Sequence, residues 1–348
     1  MEDDYHIENM GRVRTPAPTT AIAGFWRRII AFGIDAIIIG VIGYLLGFIL
    51  YEFFVRIGMW ARVYGFAIAL AYLGIMNSSV AGGQSVGKRL LYIKVVDKNG
   101  HALNIFRSFI RYSILATPFF LNRAPISEEL LYSWPGAVIS ILLFGVGFAI
   151  IYLFLFNRLS RQSLHDIISG SFVVNENLST ENTRRDVPTE IWKGHYILVA
   201  LLFLTAGVLP LITGPLARTE FFSELRAVKQ VIERQPEVRY AGVEVGTSIS
   251  AEINQETRET TYILSNMVVT EIPENYQNFL TRIAWIILYT YPEARSRDLI
   301  AVTASYGYDI GIASQWQTYS ASYPPDKWQK LIIEKRVVIL QSMGSSAK

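Results

Sequence analysis

The chain has 348 residues, 51% hydrophobic and 18% charged, with a formal net charge of +3. Its mean hydropathy of +0.29 is too high for an ordinary soluble protein, and its charged fraction is too high for a bundle of spans alone, so the composition implies a membrane half and a soluble half. The lack of cysteine excludes disulfides, thiol catalysis and cysteine metal sites, and the four histidines (His6, His101, His165, His195) show no ligand spacing.

Residues 1–22 are polar, contain Pro16 and Pro18, and predict a flexible cytoplasmic tail. Phe25 to Tyr51 is apolar for about 27 residues, enough to cross a core of roughly 30 Å. This run is too long for a cleavable signal and is expected to be a retained anchor. Arg27 and Arg28 open it, and Asp35 lies inside it. A carboxylate at that depth costs about 2.5–3.5 kcal/mol on insertion scales, so it is expected to face a partner or water within a bundle. Arg28 and Asp35 share a helix face two turns apart, at a rise of about 10 Å. That is too far for a direct ion pair, and each is expected to find another partner. For Asp35 the choices are a proton or cation site, or a structural contact with Arg28, Arg89 or a serine on another helix.

Residues 60–78 predict a second span anchored by Trp60 and Tyr64. Residues 82–104 are basic and predict a short interfacial helix and a strand hairpin, with Tyr92–Val96 as a strand and Lys98-Asn99-Gly100 as a turn. In 105–122, Arg107 and Arg111 precede only a short apolar run, so it reads as a span or a surface helix. Residues 134–156 are a span. After it, 157–174 predict a helix along the interface, carrying Leu159, Leu164, Ile167 and Ile168. A strand at Phe172–Val174 then pairs with Tyr92–Val96. Residues 176–193, with Arg184 and Arg185, are a polar linker, and 194–216 are the last span, kinked at Pro210. The positive-inside rule places every basic connection in the cytoplasm only if 105–122 crosses. That gives about five transmembrane helices, a cytoplasmic N-terminus and an outer C-terminal domain.

Residues 217–348 predict a helix, a β-hairpin turning at Gln255-Glu256-Thr257, a helix, two strands turning near Gly307 to Gly311, and a last helix. The order α-β-β-α-β-β-α describes helices packed on an antiparallel sheet. The fold class is therefore a polytopic α-helical membrane domain plus an α+β soluble domain. Trp285, Trp316 and Trp328 read as core more than as a ligand surface. Tyr308-Asp309 falls at the second turn. No nucleophile–base or metal pattern occurs, so no enzymatic activity, catalytic residue, metal or cofactor is expected.

Three stretches together carry a resemblance: GFWRRIIAFGID (24–35), GGQSVGKRLLYIKVVDKNG (82–100) and LSRQSLHDIISGSFVV (159–174). In this order the chain resembles the RDD family of bacterial membrane proteins over the domain 23–175. The family is named for one arginine and two aspartates, and the resemblance puts these at Arg28, Asp35 and Asp166. It implies transport of a cation, proton or small ligand, with those three residues along a polar intramembrane path. Gln84, Lys88, Arg89 and His165 then support a cytoplasmic mouth. For Asp166 itself, a helix cap or a salt bridge to Lys88 or Arg89 is the leading expectation. The alternative is a non-transport scaffold or sensor whose outer domain, 217–348, binds an envelope partner. The expected partners are the lipid bilayer, further copies of the chain and that envelope protein, with no nucleic acid; the expected location is the bacterial inner membrane.

Overall fold

A computed structural model describes residues 22–124, 126, 128–176, 191–217, 219–250 and 258–334. The expected tail up to residue 21, the linker arginines Arg184 and Arg185, and the turn at 255–257 lie outside the described residues.

The first helix, α1, is Phe25–Ile49. Its buried residues are Ala31, Asp35, Ile39, Gly43 and Gly47, a four-residue repeat of mostly small side chains along one face. Its other faces expose Ile37, Leu45 and Phe48. The next helix starts earlier than residue 60. It comprises α2 (Tyr51–Ile57), a 3-10 turn at Gly58–Trp60 and α3 (Ala61–Met76). A short helix α4 (Val86–Leu90) leads into β1 (Ile93–Asp97). Then comes α5 (Ile105–Leu121), capped by the Asn104 side chain, which accepts from the Arg107 amide at 2.8 Å. After a short helix α6 (Glu128–Leu131), a long apolar rod runs through α7 (Trp134–Ser140), a π-turn at Ile141–Gly145 and α8 (Val146–Phe156). The stretch expected to lie along the interface keeps Leu159 and Ile168 exposed but turns its helix partly inward. Only α9 (Leu164–Ser169) is helical, and Leu164, His165, Asp166 and Ser169 are buried. The reason is charge: Asp166 meets arginines inside the protein, and this outweighs the weak apolar stripe. The expected strand pairing holds: β2 (Ser171–Asn175) pairs antiparallel with β1, and Ile22 adds a bridge to Val174. The last apolar helix, α10 (Lys193–Ala217), contains Pro210 and Pro215 without ending at either.

Among the described residues, four helices are long and apolar enough to cross a membrane: Phe25–Ile49, Tyr51–Met76, Trp134–Phe156 and Lys193–Pro215. The count by length and composition is thus four, where the sequence gives about five. The difference is α5, which has 17 residues and carries Arg107 and Arg111 in its first two turns. It nevertheless lies antiparallel along α3. Phe109 meets Gly74 near one end, and the Phe119 carbonyl accepts from Arg62 at the other, at 2.7 Å. The helices therefore run between two ends, one marked by Asp166 and the other by Arg62.

The C-terminal half comprises α11 (Glu220–Glu233), β3 (Val238–Ser250), β4 (Arg258–Val269), α12 (Tyr276–Thr290), β5 (Leu299–Asp309), β6 (Ser314–Tyr323) and α13 (325–334). This is the expected order of elements. The sheet order is β3-β4-β5-β6, with β4 and β5 parallel. The all-antiparallel expectation is therefore corrected: α12 carries the chain back across the sheet, and a strand–helix–strand unit pairs its strands in parallel. A core of Ile232, Ile263, Leu280, Ile283, Ile287 and Ile300 lies between the helices and the sheet. Trp328 belongs to it, with its indole N–H donating to the Ile300 carbonyl at 2.9 Å. Trp285 and Trp316 do not, each being about a third exposed.

Candidate functional site

The two aspartates that the resemblance singles out end up in separate places. Asp35 is fully buried on α1. Its carboxylate accepts from the Ser85 hydroxyl, from the Gly87 backbone N–H at 2.9 Å and from the Tyr72 hydroxyl at 3.1 Å. Of the sequence alternatives, the serine contact is the one found; neither Arg28 nor Arg89 reaches it. Three donors satisfy most of the carboxylate's acceptor capacity. Asp35 thereby fastens the loop that begins α4 against α1 and α3. The approach is close enough that a Cβ on Gly87 would lie 2.0 Å from the Ala31 carbonyl oxygen.

Asp166, also fully buried, sits at the start of α9. One carboxylate oxygen is 2.7 Å from Arg28 Nη2. The other is 2.6 Å from Arg111 Nη2 and 2.9 Å from Arg111 Nε, and also accepts from the Ser171 hydroxyl at 3.2 Å. The same side chain closes a capping box with Ser163, accepting from its backbone N–H at 3.2 Å. The expected cap is therefore present, but the salt bridges go to Arg28 and Arg111 rather than to Lys88 or Arg89. Arg28 also donates to the Arg161 carbonyl and stacks over Phe154, 5.2 Å from its ring centre. Arg107 closes the far end of α9 by donating to the Ser169 and Gly170 carbonyls at 2.6–2.9 Å. Burial alone would raise the Asp166 pKa. His165, Arg111 and Arg28 oppose it, and the carboxyl is held well below the ordinary carboxylate range.

The supporting residues divide. Gln84 is buried, and its side-chain amide donates to the Ile93 carbonyl at 3.2 Å, holding the loop onto β1. Lys88 sits between the two aspartates, its ammonium 3.4 Å from the Ser85 hydroxyl that binds Asp35. Burial and Arg111 push it down to about 7 against the pull of Asp35. Arg89 is exposed. His165 is buried with Nε2 3.5 Å from Asp166 and with Nδ1 lacking a partner among the described residues. Burial pushes its ring down to about 3, so it is neutral at physiological pH. Sequence reading missed Arg111 as the second partner of Asp166. The available signal was that Arg107 and Arg111 share one helix face near the start of α5, and a buried aspartate needs cations.

Neutral His165 fixes a pH dependence. Its folded pKa lies below the free value of about 6.5, so the unfolded chain takes up a proton that the folded chain refuses. Stability is then lost as pH falls below about 6.5, by up to about 1.4 kcal/mol per pH unit. Thermal melting in mild detergent from pH 7 to pH 5 should show this fall, and His165→Asn should flatten it. An equal slope in the variant assigns the acid sensitivity elsewhere.

At the opposite end the C-terminal half meets the helices. The β5–β6 turn enters between α1 and α3. Tyr308 and Ile310 are buried there with Phe54, Val55 and Ala61. Asp309 pairs with Arg62 at 2.7 Å and lies 3.7 Å from Arg123. Arg239 on β3 donates to the Val55 and Arg56 carbonyls at 2.8 and 3.2 Å. Tyr308-Asp309 therefore ends β5 just before the turn and forms part of the contact between the two halves.

No curated protein matches the chain. The sequence model of the RDD family matches residues 22–170, a stretch that contains Arg28, Asp35, Asp166 and β1 and ends just before β2. Over that stretch, the membrane half, the chain is similar to the RDD family.

Proposed function

We propose that the chain is a membrane-anchored scaffold or sensor, in which the RDD half holds a partner-binding α+β domain in a fixed pose. The observation that carries this reading is the buried β5–β6 turn between α1 and α3. A domain tethered only by α10 has no need of a second, buried attachment. The charged groups support the same reading. Asp166 is saturated by two arginines and Asp35 by three neutral donors, which is the pattern of staples that join helices to loops. In this reading the protein lies in a bacterial inner membrane. The basic Asp166 end faces the cytoplasm, by the positive-inside rule, and the α+β domain faces outward to an envelope protein. The chain is not an enzyme and binds no nucleic acid.

One observation favours transport as a second reading. Lys88 lies close to neutral titration beside the Ser85–Asp35 contact, which is a step a proton can use. That reading also requires an oligomer, because few helices are available to line a path. Flux separates the two. Proteoliposomes holding the full-length protein are expected to pass protons, Na⁺ and K⁺ no faster than empty vesicles, in the wild type and in Asp35→Asn alike. Flux in the wild type that vanishes in a folded Asp35→Asn variant overturns the scaffold reading and makes Asp35 a transport residue.

A further inference from the structure

A second cluster of cations lies outside the Asp35 and Asp166 contacts, where α1 begins and α8 ends. A cavity of about 250 Å³ opens there. Phe25, Phe154 and Leu155 form its apolar wall, and Arg28, Arg158 and Arg161 its polar one. No acidic residue is among the described residues that line it.

The charge balance around this cavity is uneven. Arg28 and Arg111 share the single carboxylate of Asp166, which already leaves one positive charge in excess. Arg161 adds another; among the described residues its guanidinium makes one hydrogen bond, to the Ala23 carbonyl at 3.3 Å. Arg158 is exposed and has no ion pair among the described residues. Guanidiniums held this close to one another repel unless an anion sits among them. The Arg28 bond to the Arg161 carbonyl fixes the 158–161 loop over the cavity, so the arrangement is built into the fold.

We propose that this cavity binds the phosphate of an anionic lipid headgroup, with Arg158 and Arg161 as its principal ligands. Three features choose a lipid over a free phosphate ester. The cavity lies at the ends of two membrane helices, Phe25–Ile49 and Trp134–Phe156, which is headgroup depth. Its wall is aromatic and aliphatic on one side and cationic on the other, matching the junction between acyl chain and phosphate. Trp26, 70% exposed beside it, is the residue type that sits at that level. Forked guanidinium donors match phosphate oxygens two at a time.

The test uses the full-length protein in phosphatidylcholine bilayers, with a fluorescence-quenching lipid analogue reporting occupancy near Trp26. Quenching phosphatidylglycerol is compared with quenching phosphatidylcholine. The wild type is expected to prefer phosphatidylglycerol by roughly twenty-fivefold, at about fivefold per arginine. The variant R158Q/R161Q should lose most of that preference, and R158K/R161K should keep part of it. Melting in pure phosphatidylcholine checks that each variant is folded; if R158Q/R161Q is not, R158Q alone carries the test and should lose about fivefold. Equal quenching by the two lipids in the wild type overturns the proposal, as does a preference unchanged in folded R158Q/R161Q or, in its stead, in folded R158Q. Inorganic phosphate forms the other arm. If millimolar phosphate abolishes the preference at constant ionic strength, the site belongs to a soluble phosphate and the lipid assignment is overturned; if it leaves the preference intact, the lipid assignment stands.

Discussion

Asp166→Asn is expected to destabilise the folded protein by about 3–5 kcal/mol, the usual cost of removing one partner from a buried ion pair. The substitution keeps the size and shape of the side chain, and an amide oxygen can still accept one hydrogen bond. What it removes is the only charge among the described residues that neutralises Arg28 and Arg111, whose side chains are 8% and 7% exposed. Two guanidiniums then face each other in a buried site with one neutral acceptor between them. The loss should appear as a lowered melting temperature and as earlier proteolysis within 157–176, where α9 and β2 lose their tie to α1 and α5. A second variant separates charge from packing. Replacing all three residues by apolar ones of similar volume (Arg28→Met, Arg111→Met, Asp166→Leu) removes the desolvated charges together and should be far less damaging than the single change. A mild loss in Asp166→Asn, below about 1 kcal/mol, would mean that water reaches the arginines and that the site is open. Acid provides a third check. Because the folded carboxyl lies below its free value of about 3.9, its contribution is complete above that pH and is lost only as pH falls through the folded value. The wild type should therefore lose the His165 contribution first, on going below about 6.5, and the Asp166 contribution only in much stronger acid.

The sequence carried the positions of these residues better than their pairings. Asp35 and Asp166 stand out because a carboxylate in an apolar or tightly packed segment demands a partner. Arg28 stands out because it cannot reach Asp35 along its own helix. The identity of the partners depends on contacts 133 to 138 residues apart in the chain for Arg28, and no local pattern encodes those. The inward turn of α9 was unreadable for the same reason. Its apolar residues suit an interface equally well, and only the arginines of α1 and α5 pull Asp166 inside. The β1–β2 pairing was legible because both runs are β-prone and basic segments flank them on one side of the membrane. In the C-terminal half the hairpins follow from alternation and turn residues. The parallel β4–β5 pair does not, because alternation fixes which face a residue takes but not which neighbour its strand chooses.

The contact least visible in the sequence, the β5–β6 turn between α1 and α3, gives the second large effect: Gly65→Ala is expected to displace the turn from the bundle. A Cβ at Gly65 would lie 1.7 Å from the carbonyl oxygen of Ile310. That neighbour is backbone in a tight turn, where the Asp309 side chain accepts from the Gly311 amide at 2.6 Å, so it cannot swing aside as a flexible side chain would. Alanine favours helix over glycine by about 1 kcal/mol, which works in the opposite direction. It is outweighed if the turn leaves, because Tyr308 and Ile310 each lose burial worth about 1.5–3 kcal/mol, and Arg62 loses Asp309. Gly33 on α1 supplies the control: a Cβ there meets nothing within 4 Å, so Gly33→Ala should be harmless. The cysteine-free chain allows a direct readout. Cysteines at Gly43 and Ala313, where the two Cβ positions lie 3.1 Å apart, are close enough to form a disulfide after small adjustment. Efficient cross-linking in this background, kept by Gly33→Ala and lost in Gly65→Ala, would place the turn between the helices in the membrane. Equal cross-linking in all three would mean that the bundle opens to admit the added methyl group, and that the coupling between the two halves is looser than the close approach at Gly65 implies.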